Sequence, residues 1–111
     1  MLDLDTHRLE RLEASAGSAA RLLKAMANEK RLMILCQLDG RELQVGEMLA
    51  RVSLSQSALS QHLGLLREEG LVSTRREGVA VFYRLANPAV AEVIATLAEI
   101  YCPPETEERN S

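Results

Sequence analysis

SLSQSALSQHLGLLREEGLV, residues 53–72, is the stretch that decides the fold. Ser55 is placed to N-cap a helix, its hydroxyl accepting from the free N–H groups of the first turn. Leu59, Leu63 and Leu66 recur at i, i+4 and i+7 and make one narrow apolar stripe. Glu68-Glu69-Gly70 closes the helix, because Gly70 takes the left-handed C′ conformation readily and Leu71 folds back as the hydrophobic contact. The opposite face carries Gln56, Ser57, Ser60, Gln61 and His62, with no charge until Arg67. Amides and hydroxyls at the start of a helix suit base edges, where Gln pairs with adenine and Ser with several acceptors. On its own the same face also reads as a solvated surface that lacks charge.

The flanking residues favour the first reading. Upstream, VGEMLARV (45–52) is a short amphipathic segment with Val45, Met48, Leu49 and Val52 on one side, and only Ser53 and Leu54 separate it from Ser55. Two helices joined so tightly form a helix-turn-helix, whose second helix enters the major groove N-terminus first. Downstream, residues 71–85 (LVSTRREGVAVFYRL) predict two strands around a Glu77-Gly78 turn, with Arg75 and Arg76 near the tip to meet phosphate or the minor groove. The expected fold is mainly α with a small β-hairpin: a winged helix-turn-helix of about five helices plus a two-stranded wing.

Cap, stripe, turn and wing follow one another as S-x-S-x-x-S-Q-H-L, L-R-x-x-G-L-V and R-R-x-G-x-x-x-x-Y-x-L. This order resembles the ArsR/SmtB family of small bacterial repressors over roughly residues 18–102. The resemblance implies a homodimer bound to an imperfectly palindromic duplex, with Ser55, Gln56, Ser57, Ser60, Gln61, His62, Arg75 and Arg76 as the DNA-binding residues.

Size and charge agree. The 111 residues suffice for one domain, read as 1–102, with a modest core that a dimer interface would supplement. Residues 1–50 hold 7 basic and 8 acidic groups, residues 51–84 hold 5 and 3, and residues 85–111 hold 1 and 5, for a net −3. The one positive section is the helix-turn-helix with its wing, and phosphate binding needs local cations rather than a basic whole. Three aromatic residues are too few for a single-strand stacking platform, which leaves duplex DNA. No apolar run approaches a membrane span, and MLDLDTHR lacks the basic-then-apolar order of a signal sequence, so a cytoplasmic location is expected.

Taken in order, residues 5–26 predict one or two helices, with a kink or break at Gly17-Ser18. In the family this N-terminal helix packs across the dimer, although its apolar stripe reads equally well as ordinary core. Asn28 caps a helix over 29–38 whose core face is read as Leu32, Leu35 and Leu38, flanked by Met33, Ile34 and Cys36; Asp39-Gly40 ends it. Lys30 and Arg31, near its start, are either accidental or a second phosphate contact. Asn87-Pro88 starts a last helix through Tyr101, about 21 Å long and apolar enough to pack on a twin. Pro103-Pro104 stops it, and residues 103–111 read as a disordered polar tail.

The sensing chemistry is read from what is missing and what remains. Where the family's cysteine site has E-L-C-V-C-D-L, this chain has Glu42-Leu43-Gln44-Val45-Gly46-Glu47-Met48, and residues 88–101 contain neither His nor Asp. No metal site, no cofactor and no catalytic residue is therefore expected. Cys36 and Cys102 remain, 66 positions apart and without CxxC spacing, and each reads alone as a buried, inert thiol. One cysteine in LxxLCxL and one in Y-C-P resembles the persulfide-sensing, two-cysteine branch of the family. That branch implies reactive sulfur species as inducer and a sulfur bridge between Cys36 and Cys102 that releases DNA. A soft metal or metalloid held by the same thiols, a regulator with no ligand response, a thiol-disulfide enzyme and a protein-interaction module are the alternatives.

Overall fold

A computed structural model describes residues 5–103. The tail expected over 103–111 lies, apart from Pro103, outside them. The element order is α1 (Thr6–Met26), α2 (Glu29–Gln37), α3 (Val45–Leu49), α4 (Gln56–Glu68), β1 (Val72–Glu77), β2 (Ala80–Leu85) and α5 (Pro88–Tyr101).

Local sequence explains most boundaries. The Asp5 carboxylate caps α1 by accepting from the Arg8 N–H at 2.7 Å, and the Asn28 side chain caps α2 by accepting from Lys30 and Arg31. Asn87 accepts from the Ala89 N–H at 2.9 Å and Pro88 fills the first position of α5. The α1–α2 joint is also where Arg31 is used: its Nε donates to the Ala25 carbonyl, closing an open acceptor in the last turn of α1. That contact accounts for Arg31 without a phosphate.

Three details differ from the sequence reading. α1 is a single helix of 21 residues that runs unbroken through Gly17-Ser18. One glycine costs a helix only about 1 kcal/mol, which the turns on either side outweigh. On α2 the buried set is Ile34, Leu35 and Leu38, while Leu32 is half-buried and Met33 exposed. The face therefore follows i, i+1 and i+4 from Ile34, and Ile34 is core rather than flank. The hairpin turn lies one residue later than read, at Gly78-Val79, because Glu77 pairs with Ala80. Gly78, at φ 63, takes the first central position, which a two-residue turn of this hand reserves for glycine.

The core lies where α2, α3, α4 and α5 meet the hairpin, with Ile34, Leu35, Met48, Leu59, Leu66 and Val90 fully buried. Leu43 adds a short third edge to the sheet, exchanging backbone hydrogen bonds of 3.0 and 2.8 Å with Tyr83. α1 buries only Ala25 and Met26, and leaves Leu9, Leu12 and Leu23 about half exposed. Ile100 (62%) and Tyr101 (77%) stand out at the end of α5. Among the described residues no helix is long and apolar enough to cross a membrane.

Candidate nucleic-acid interface and cysteine groove

α4 is fixed at both ends and along one side. Ser55 Oγ accepts from the Ala58 N–H at 3.1 Å. At the other end Gly70, at φ 80, lets its own N–H donate to the Arg67 carbonyl and that of Leu71 to the Leu66 carbonyl, at 3.1 and 2.8 Å. These two bonds are a Schellman cap. Leu59, Leu63 and Leu66 are buried, so the rotation of the helix about its axis is set by the core. Over its first two turns the outer face presents Gln56, Ser57, Ser60 and Gln61, all exposed, with His62 half-buried on the flank. α3 precedes it through a turn of a few residues, its own start held by Glu47, whose carboxylate accepts from the Gln44 N–H at 2.8 Å.

The two wing arginines differ. Arg76 is exposed and, among the described residues, makes no ion pair. Arg75 is half-buried, bonded to Glu42 and Glu77, with its guanidinium 4.6 Å from the centre of the Phe82 ring. Glu42 lies 33 positions away, and nothing local in the sequence announces the pairing.

Cys36 and Cys102 line one groove of about 290 Å³ between α2 and α5. Leu32, Met33, Ile94, Leu97, Ala98 and Tyr101 complete its walls, nearly all apolar. Both cysteines are free thiols, Cys36 half-buried and Cys102 exposed where α5 ends. Burial pushes the Cys36 thiol above its ordinary range, and the charges of Asp39 and Cys102 push the same way. Among the described residues no three His, Cys, Asp or Glu side chains converge to hold a metal ion.

A capped helix-turn-helix with an uncharged polar outer face, followed by a basic two-stranded wing, defines a winged-helix DNA-binding regulator. The chain belongs to the arsR family of bacterial regulatory proteins, whose pattern matches residues 28–74. It is 53% identical to the transcriptional activator HlyU of Vibrio cholerae over 85% of this chain and 87% of that one. The structure of reduced HlyU from that organism superposes with a TM-score of 0.77 at 53% identity, covering 84% of this chain and 98% of the other. The transcriptional repressor BigR from Xylella fastidiosa superposes at 0.79 with 41% identity over 84% and 95%. The homodimeric winged helix-turn-helix domain Mb0332 from Mycobacterium bovis superposes at 0.69 with 32% identity over 90% and 89%.

Proposed function

We propose that the protein is a homodimeric transcriptional repressor that leaves its operator when persulfides bridge Cys36 and Cys102. The observation that carries DNA reading is the outer face of α4, where exposed Gln56, Ser57, Ser60 and Gln61 follow the Ser55 cap and no lysine or glutamate intervenes before Arg67. His62 flanks this face, and the wing that carries Arg75 and Arg76 extends it toward the phosphates. Residues 1–102 act as one DNA-binding and dimerisation domain. The exposed leucines of α1 and the end of α5 are its interface with a second copy, in keeping with the homodimeric state named for the Mycobacterium bovis relative. Two recognition helices then meet successive major grooves, so the operator is an imperfect palindrome with half-sites about 34 Å apart.

Thiol sensing is supported by the shared groove: two cysteines 66 positions apart in sequence line one apolar cleft. Exposed Cys102 meets the persulfide first. Each thiol takes one sulfur from a persulfide RSSH and releases RSH; the two cysteine persulfides then condense to a Cys–S–S–S–Cys bridge with loss of H₂S. Such a bridge reaches farther than a direct disulfide, which requires Cα atoms within about 7 Å. It ties α2, on which the reading helix rests, to α5, and favours a dimer geometry that no longer matches the groove spacing. The coupling needed is about 1–3 kcal/mol.

The test is a duplex selected by the reduced protein from a random pool. Persulfide donor should release it from wild type and leave it bound to Cys36→Ser and Cys102→Ser. Release by arsenite alone, with no response to the donor, would favour the metalloid reading.

A further inference from the structure

Arg75 and Arg76 are neighbours in sequence, yet strand alternation sends them to opposite faces of the wing. Arg75 shares its face with Glu77 and, across the ladder, with Phe82. All three of its guanidinium nitrogens are engaged there, through three of the five N–H groups. Nε lies 3.0 and 3.2 Å from the two oxygens of Glu42, Nη2 lies 2.9 Å from Glu42 Oε1, and Nη1 lies 2.7 Å from Glu77 Oε2. Arg84 adds a 3.5 Å contact to Glu42 from the second strand. The residue after Glu42 is Leu43, whose backbone is bonded to Tyr83 in both directions. Glu42 is therefore anchored on the third edge of the sheet and grips both wing strands from outside.

An arginine recognises phosphate with a planar fork of N–H groups. In Arg75 three of the five N–H groups are already taken by two carboxylates, which fix the direction of the fork, and the guanidinium plane is covered on one side by Phe82. Arg76 has neither restraint. We infer that Arg75 is a positioning residue which, clamped by Glu42, sets the pitch of the wing, while Arg76 is the cation the wing delivers to phosphate. The second half rests on the DNA-binding reading; the clamp does not.

Two measurements decide it. Binding of the selected duplex is followed across salt concentration for Arg76→Gln, Arg75→Gln, Arg75→Lys, Glu42→Gln and the Glu42→Gln/Arg75→Gln double variant. Arg76→Gln should make the slope of log K against log salt shallower by about 0.9 per half-site, the loss of one phosphate contact. Arg75→Gln and Glu42→Gln should each weaken binding about two- to fivefold, as for an exposed ion pair, without changing the slope. The double variant should bind no worse than Arg75→Gln. Arg75→Lys, which keeps the charge but loses the fork, should behave like Arg75→Gln. Tighter binding by Glu42→Gln, or a shallower slope for Arg75→Gln with Arg75→Lys restoring it, would overturn the assignment and make Glu42 a competitor for a DNA-contacting arginine. Hydrogen exchange at the Leu43 and Tyr83 amides needs no DNA. It should quicken in Glu42→Gln and Arg75→Gln but not in Arg76→Gln, and unchanged exchange in all three would remove the clamp.

Discussion

The helix proposed to read DNA and the groove that holds the two cysteines are built to different standards of restraint. α4 has a side-chain cap at its start, a glycine cap at its finish, three buried leucines beneath it and a wing held from outside by Glu42. The last turn of α5 ends on a single backbone bond from Cys102 to Ala98, with Ile100, Tyr101 and Cys102 all exposed and an open groove beside them. A surface that must match base edges gains from having its geometry fixed before contact, since ordering it on binding would cost free energy. A switch needs the reverse: an element with few constraints, so that one new bond changes where it rests.

That contrast can be pressed hardest at the mount of the reading helix. Leu59→Ala empties a fully buried position under α4 and should cost about 2–5 kcal/mol, read as a lowered midpoint in chemical denaturation. Ile100→Asp, at the exposed end of α5, should leave the stability of the single chain within about 0.5 kcal/mol of wild type. It should nevertheless give monomers in sedimentation and lose tight duplex binding. A stable dimer with full affinity would take α5 out of the interface.

Gln56→Ala should lower discrimination between the selected duplex and random DNA by about 1–3 kcal/mol, with stability unchanged. Equal losses on both duplexes would mean that α4 does not read bases. Gly64 sharpens the point. It lies on the polar side of α4, and a Cβ there would meet nothing within 4 Å of the protein itself. Gly64→Ala should therefore stabilise the fold by roughly 0.5–1 kcal/mol, and any accompanying loss of affinity must come from the DNA side.

The smallest effect belongs to the Cys36 thiol. Burial holds its pKa above the ordinary 9.0, so it is protonated at neutral pH. Alkylation of Cys36 by iodoacetamide in Cys102→Ser should keep rising through pH 9.0 without levelling. The sign for stability follows: the protonated thiol's contribution is complete below pH 9.0 and is lost as pH climbs through the raised value. Levelling below pH 9.0 would mean that burial does not govern this thiol.

How much of this was legible in the sequence divides along the range of the interactions. Ser55, Asn28, Asn87-Pro88 and Gly70 announce helix ends because caps act within three or four residues, and those boundaries agree with the structure. Of the one or two helices that residues 5–26 allow, the structure has one, because the weak propensity at Gly17-Ser18 is outweighed by the cooperativity of 21 residues. Leu32, Leu35 and Leu38 mimic a face at spacing three that leaves Ile34 on the flank, whereas burial at 34, 35 and 38 follows packing against α4 in the common core. The hairpin turn lies one residue later than the sequence suggests because Gly78 must occupy the first central position of the turn, which leaves Glu77 in the ladder. Nothing local pairs Arg75 with Glu42, or brings Cys36 and Cys102 to one groove; the latter was suggested only by resemblance.

The most direct test of the account is fluorescence anisotropy of the selected duplex with reduced protein, before and after a persulfide donor, paired with the intact mass of the protein. Wild type should lose the duplex as the mass shifts to one intramolecular bridge per chain containing added sulfur, while Cys36→Ser and Cys102→Ser bind equally well when reduced and keep the duplex afterward. Release from either single variant, or release from wild type with no bridge between Cys36 and Cys102, would contradict it.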